Sequence, residues 1–219
     1  MRRPTLTFHG VGAPPRPLSP GEEGVWLSES AFESALDAVP AESAVRLTFD
    51  DGNASDTAIA LPALVRRGLT AMFFIVTNRL DEPGFIAATD IPRLIAAGMD
   101  VGTHGNAHLD WRSLSDWVLR DEIQTSQARL AALGKRPVDA ASCPFGSYDR
   151  RILKVLRACG LRRVYTSDGG WSAPTSWLQR RTTVTPTMTH TEIIELVTRP
   201  PNATEQTVLA VKQLAKKIR

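Results

Sequence analysis

The sequence predicts an α/β protein: a distorted (β/α) barrel of seven strands, built as a single domain over residues 1–219. Three observations lead there. Short apolar runs alternate with longer segments whose apolar residues recur at three- and four-residue spacing, the pattern of parallel strands joined by crossover helices. Glycine or proline closes most of the helical segments. The chain has 219 residues, 42% of them hydrophobic, enough for one sizeable core. A doubly wound open sheet is the alternative arrangement of the same elements.

In chain order, Pro4 to His9 reads as the first strand, followed by a Gly/Pro-rich loop to Pro20. Ser30 and Glu33 predict a capping box, and Phe32, Ala35, Leu36 and Val39 form one helix face that Pro40 ends. A strand at Val45 to Phe49 precedes a helix from Ser55 to Arg67 closed by Gly68, and a strand at Thr70 to Val76 precedes a helix from Asp90 to Ala97 closed by Gly98. Asp100 to Thr103 is a short strand, Ser115 to Leu133 a long helix ending at Gly134, Ala140 to Cys143 a strand, and Asp149 to Ala158 a helix ending at Gly160. Strands at Arg163 to Thr166 and Gln179 to Val184 follow, then helices at Thr191 to Thr198 and Thr204 to Ile218.

Composition narrows the function. The 26 Lys and Arg against 23 Asp and Glu leave a net charge of +3, and apart from the tail from Lys212 to Arg219 the basic residues are scattered, which argues against nucleic acid as a partner. The two cysteines, Cys143 and Cys159, form no CxxC pair and read as free thiols in a reducing compartment. No segment approaches the ~20 apolar residues of a membrane span, and MRRPTLTFHG lacks the apolar run of a signal peptide. A cytoplasmic protein without a membrane partner is the expectation; its oligomeric state is left open.

In parallel α/β folds, catalytic groups gather beyond the carboxyl ends of the strands. Four predicted strand ends carry such groups here: His9; Asp50 and Asp51; His104 with His108; and Pro144, Phe145 and Gly146. Adjacent acids at a strand end point in different directions, so one can ligate a metal while the other faces substrate; a turn or helix cap is the plainer reading. His104 and His108 are spaced to grip one cation from a single helical turn, though histidines four apart also occur as ordinary surface residues. Two imidazoles and one carboxylate leave coordination positions open for water and substrate, as in a catalytic metal site. A non-haem iron oxygenase uses the same donors but leaves Asp50 without a role.

These motifs resemble those of the polysaccharide deacetylase family, carbohydrate esterase family four with its NodB-homology domain. LTFDDG at Leu47 to Gly52 resembles the first motif, GTHGNAH at Gly102 to His108 the second, and CPFGSYD at Cys143 to Asp149 the third. FHGVG and WLSESAFESALDAV resemble the N-terminus of a permuted branch that acts on exopolysaccharide and surface glycans. The resemblance implies a hydrolase that removes N-acetyl groups from an amino sugar or glycan precursor, a small molecule or oligosaccharide carrying an acetamido group. It implies Asp51, His104 and His108 as ligands of a divalent ion and Asp50 as general base; the donor set of two nitrogens and one oxygen favours zinc, with cobalt or nickel next. It further implies that the backbone amide of Phe145 contributes to the oxyanion site, that His9 takes the general-acid role, and that Arg181, in LQRRTTV, supplies a cation beside Asp50. For His9 the plainer reading is a buried histidine bonded to the following loop, and for Arg181 a solvated side chain.

The sequence also departs from the family pattern. Ser142 stands where the third motif often has a base-orienting arginine, Gly105 follows the first ligand histidine in place of Ser or Thr, Gly170 rather than Asp precedes Trp171, and the usual C-terminal histidine motif is missing. Two rival readings remain: a metal-dependent hydrolase of another C–N bond, such as a cyclic amide or ureide, and a catalytically inactive glycan-binding homologue. Among the remaining residues, His190 is expected on an exposed first turn capped by Thr189 and Glu192. Trp171, Trp177 and Tyr148 are expected in loops where a ring could stack on a sugar, Trp117 in the core, and Cys143 as inert packing.

Overall fold

The structure, a computed structural model, describes residues 2–40 and 44–218; Arg219, the last residue of the basic tail, lies outside them. Strands β1 (Arg3–Phe8), β2 (Arg46–Asp51), β3 (Ala71–Ile75), β4 (Asp100–Thr103), β5 (Ala140–Ser142) and β6 (Arg163–Thr166) pair in sequence order, every pair parallel. This order excludes the doubly wound alternative, in which the strand order reverses part-way. The two-residue β7 (Trp171–Ser172) adds antiparallel to β1.

The seventh expected strand is split. β8 (Leu178–Arg180) lies parallel on β6, whereas β9 (Thr182–Thr183) lies parallel on β1. Only Arg181 separates them, so one short segment joins the two ends of the sheet and nearly closes the barrel. Seven strands were expected; the same segments are present, with the last divided at this junction and β7 in addition.

Helices α1 (Glu29–Asp37), α2 (Leu61–Arg66), α3 (Asp90–Ala96), α4 (Asp116–Gly134), α5 (Arg150–Ala158), α6 (His190–Thr198) and α7 (Ala203–Ile218) form the outer layer. Three termini differ from expectation. The N-cap of α1 is Ser28, extended at ψ 158°, whose hydroxyl accepts from the Ala31 amide; Ser30 lies within the first turn, so no Ser30–Glu33 box forms. The segment before α2 starts as a π-helical turn, Asp56–Ala60, because Pro62 has no N–H and its ring crowds the carbonyl four residues back. In α4 it is Lys135, not Gly134, that turns left-handed, at φ 51°. Gly134 packs closely instead: a Cβ there would lie 2.7 Å from the end of the Ile95 side chain, which would have to shift.

Alternation along the strands divides the interior into two environments. Leu6, Phe8, Leu47, Phe49, Phe73 and Ile75 face the helices, where Phe49 stacks between Phe8 and Phe73 at centroid distances of 5.2 and 4.7 Å and Phe32 of α1 meets Phe8 edge-on. The intervening residues point into the barrel: Thr7 and Thr48 bond to each other, and Phe74 packs on Tyr165. Trp117, expected in the core, is 75% exposed on α4, whereas Trp111 and Trp26 are buried. No helix among the described residues is long and apolar enough to cross a membrane.

Phe49→Ala should therefore destabilise the fold by ~3–5 kcal/mol, since the stack cannot collapse into the space of one ring. Urea denaturation followed by circular dichroism measures this; a loss under ~1 kcal/mol would mean that the stack does not anchor the helix layer.

Candidate metal centre and catalytic pocket

A pocket of about 230 Å³ opens at the carboxyl ends of the strands, lined by His9, Asp50, Asp51, His104, His108, Phe145 and Arg181 together with Pro20, Glu22 and Val25 of the loop after β1. The seven residues for which the resemblance implied metal or catalytic roles thus meet in one place. A larger groove of about 550 Å³ between α6 and α7 contains none of them.

Asp50 and Asp51 are the last two residues of β2 and diverge as alternation requires. Asp51 turns toward the histidines: its Oδ1 lies 3.2 Å from His108 Nε2 and 3.5 Å from His104 Nε2. One ligand atom from each of the three residues falls within 4.8 Å of the others, a cluster that could hold a metal ion. Two features suit these donors to a cation. His104 Nδ1 lies 3.0 Å from the Ser142 carbonyl, which only accepts, so that nitrogen carries the proton and leaves the Nε2 lone pair free. Burial, then the neighbouring His104, pull His108 down to about 4, keeping it neutral at pH 7 as a ligand must be.

The histidines do not share a helical turn as expected. Residues 104–108 form a loop with Gly105 at φ 82° and His108 at φ 55°. Buried Glu122 of α4 secures it, accepting from the Ala107 amide at 2.7 Å. A Cβ on Gly105 would come within 2.7 Å of that same carboxylate, which explains glycine after the first histidine. Asp51, at φ 78°, is also left-handed, so two of the three candidate ligands occupy backbone conformations that non-glycine residues seldom adopt.

Asp50 faces the barrel axis, where Arg181 grips it in a fork: Nη1 to Oδ1 at 2.6 Å and Nη2 to Oδ2 at 2.7 Å. Arg181 is 2% exposed, so it is not a solvated side chain. The Ser142 hydroxyl accepts from Arg181 at 2.7 Å and donates to Asp50 at 3.0 Å, while Thr48 accepts from Arg181 at 3.2 Å. Burial works to raise the Asp50 pKa, but the Arg181 charge, aided by His104 and the hydrogen bonds, prevails and holds the carboxyl well below its ordinary 3.8. Asp50 Oδ2 is 3.9 Å from His104 Nε2 and therefore stands beside the ligand cluster.

His9 follows β1 and lines the same pocket; its Nδ1 is buried and has no hydrogen-bond partner among the described residues. Phe145 has φ 57°, and its ring is 70% exposed at the rim, 4.6 Å from the His108 ring. The other aromatic candidates lie elsewhere. Tyr148 is buried with its hydroxyl on Asp168 at 2.6 Å, Trp171 donates to the Leu196 carbonyl in the groove between α6 and α7, and Trp177 donates to the Leu161 carbonyl beneath Arg157. His190 is exposed at the start of α6, within its Thr189–Glu192 capping box, and bonds to Ser34. Cys143 lines the pocket, but burial raises its thiol to about 12.

A model of the family described as polysaccharide deacetylase matches residues 37–164. The chain belongs to the polysaccharide deacetylase family. The matched span contains the paired acids, both histidines and Phe145, while His9 and Arg181 lie outside it. The chain is similar to YxkH of Bacillus subtilis (22% identical over 181 residues; 76% of this chain, 65% of YxkH). It is similar also to chitin deacetylase 2 of Cryptococcus neoformans (29% over 152 residues; 68% and 32%) and to a Bradyrhizobium chitooligosaccharide deacetylase (29% over 135 residues; 59% and 59%). It spans less than two thirds of the length of each of these relatives. Among solved structures its fold matches Streptococcus pyogenes deacetylase PplD in complex with acetate (TM-score 0.79, 18% identity, 90% of this chain and 98% of that one) and IcaB from Ammonifex degensii (TM-score 0.73, 19% identity, 88% and 95%).

Sequence reasoning missed two buried acids near the centre. Glu122 carried no signal beyond its place in α4. Asp56, in the π-helical turn, is fully buried, has no side-chain hydrogen-bond partner among the described residues, and is pushed well above 3.8 by burial and then by the charges of Asp51 and Asp50. Its only trace in the sequence is an acid five residues after Asp51.

Arg181→Met should leave Asp50 buried without its cation, destabilising the fold by ~3–5 kcal/mol at pH 7. In the parent the depressed Asp50 pKa confers stability that is fully present above pH ~4 and is lost as pH falls toward the folded value, so the difference between parent and variant should shrink in acid. Thermal denaturation from pH 3 to 8 tests this; a pH-independent difference would assign Arg181 to packing alone.

Proposed function

We propose that this chain is a metal-dependent hydrolase that removes N-acetyl groups from an amino sugar or glycan precursor. The observation that carries the reading is a carboxylate, Asp50, held ionised by a buried arginine beside a separate three-residue ligand cluster in the same pocket. A structural metal site has no use for such a base, and an oxygenase site leaves it idle. The inactive-homologue reading rested on the departures at Ser142 and Gly170; the first loses force where Ser142 makes room for Arg181 to bind the same carboxylate.

Asp51, His104 and His108 would hold the ion, and two nitrogens with one oxygen favour zinc, with cobalt or nickel as substitutes. The bound ion would lower the pKa of a coordinated water toward ~7 and polarise the acetyl carbonyl. Asp50 accepts the proton of the attacking water, for which Arg181 keeps it deprotonated and aimed. The Phe145 backbone N–H stabilises the negative charge that develops on the carbonyl oxygen. His9 donates a proton to the leaving nitrogen, which would otherwise depart as an amide anion. The unpartnered Nδ1 of His9 supports this role. The exposed Phe145 ring offers a face for the sugar.

Acetate release from tetra-N-acetylchitotetraose, read beside metal analysis, tests the assignment. Asp50→Asn should retain the metal and lose nearly all turnover, whereas Asp51→Asn and the His104→Ala/His108→Ala pair should lose the metal. Full metal occupancy in the double variant would overturn the site. His9→Ala should retain metal and lose ~100-fold in turnover on an acetamide, but much less on an activated acetyl ester whose leaving group needs no proton. Equal losses on both substrates would remove the general-acid role.

A further inference from the structure

The oxyanion loop is supported from the far end of the chain. Phe145 and Gly146 both lie in the left-handed region, at φ 57° and 59°, and the Gly146 and Ser147 amides turn back to Cys143 and Pro144 at 3.0 Å each. A side chain on Gly146 is disfavoured in this conformation, because its Cβ would strike the Ser167 hydroxyl unless that hydroxyl moved. Consecutive left-handed residues, one of them a phenylalanine, are not self-sustaining, because the Cβ of the non-glycine one crowds the backbone in that conformation.

The outside support comes from α7. Lys216 reaches the Gly146 carbonyl at 3.1 Å and Asp168 Oδ1 at 2.7 Å, with its ammonium 5.5 Å from the Tyr148 ring. Asp168, its side chain 2% exposed, also accepts from Tyr148 at 2.6 Å and Thr166 at 2.8 Å, so the lysine is held by a group that is itself fixed. We propose that Lys216 is a positioning residue, clamping the Gly146 carbonyl so that the Phe145 amide faces the pocket. The proposal rests on the deacetylase reading for its consequence, though not for its geometry. α7 has other anchors: Gln206 binds Arg2 and the Pro201 carbonyl, Gln213 binds Arg180, and Leu209 packs on the Gly169–Gly170 turn. Loss of Lys216 therefore releases the loop without releasing the helix.

The test uses the metal-loaded full chain with Lys216→Met, Lys216→Arg, and Gln206→Ala as a control that loosens α7 away from the loop. Two quantities are read: acetate release from tetra-N-acetylchitotetraose and amide hydrogen exchange over residues 143–149. Lys216→Met should lower kcat ~10–100-fold with KM within about twofold and metal content unchanged, and should speed exchange in that segment. Lys216→Arg should restore most of both, and Gln206→Ala should alter neither. Unchanged exchange in Lys216→Met, a change confined to KM, or the same losses in Gln206→Ala would overturn the proposal. If the parent chain releases no acetate the deacetylase reading fails, and the exchange comparison still decides whether Lys216 holds the loop.

Discussion

A buried charge pair sits where the barrel closes, and most of the site is arranged around it. Arg181 is the single residue between the strand that extends one end of the sheet and the strand that pairs with the other. Its side chain turns inward and forks onto Asp50. Taking two charges out of water costs several kcal/mol per ion, and the cost is offset only when geometry is close and the remaining donors are met. Here Thr48, Ser142 and the Thr166 carbonyl receive the rest of the guanidinium. The closing segment and the candidate base are thereby one unit. The same contact that completes the sheet sets the ionisation state of the carboxylate.

Strain is concentrated at this end of the barrel. Asp51, His108 and Phe145 all have positive φ without being glycine, and each belongs to the candidate site. Such conformations persist only where surrounding contacts over-determine them. Glu122 pins the loop that carries His108, and Lys216 with Asp168 pins the loop that carries Phe145. In both cases a buried or half-buried charged side chain from an outer helix binds backbone that would otherwise relax. The helices thus do more than cover the sheet: α4 and α7 each hold one loop at the carboxyl face.

The departures from the family pattern acquire physical meaning in this setting. Ser142 is small enough to admit the guanidinium, and its hydroxyl relays one hydrogen bond to Asp50. Gly105 leaves the space that the Glu122 carboxylate occupies. Gly170, left-handed at φ 80°, lets Leu209 of α7 approach the turn; a Cβ there would lie 2.5 Å from that side chain. Each substitution removes a side chain where another part of this chain comes close.

The alternation of strands and helices was legible because it follows from local periodicity, and the strand-end placement of His9, Asp50, Asp51, His104, His108 and Phe145 follows from it in turn. Motif resemblance supplied the chemistry of those positions. Other features depended on contacts between residues far apart in the chain, which local pattern does not encode. The sequence left Arg181 between two readings, and its partner Asp50 is 131 positions away. Tyr148 and Trp171 looked available for a sugar until Asp168 and the Leu196 carbonyl engaged them. The helical turn expected for His104 and His108 gave way to a loop because Glu122, from another element, satisfies its backbone. Local sequence thus determined which elements form and which polar groups reach the open face. Tertiary structure decided their charge states and partners, because both depend on burial and on which distant side chain comes within hydrogen-bond reach.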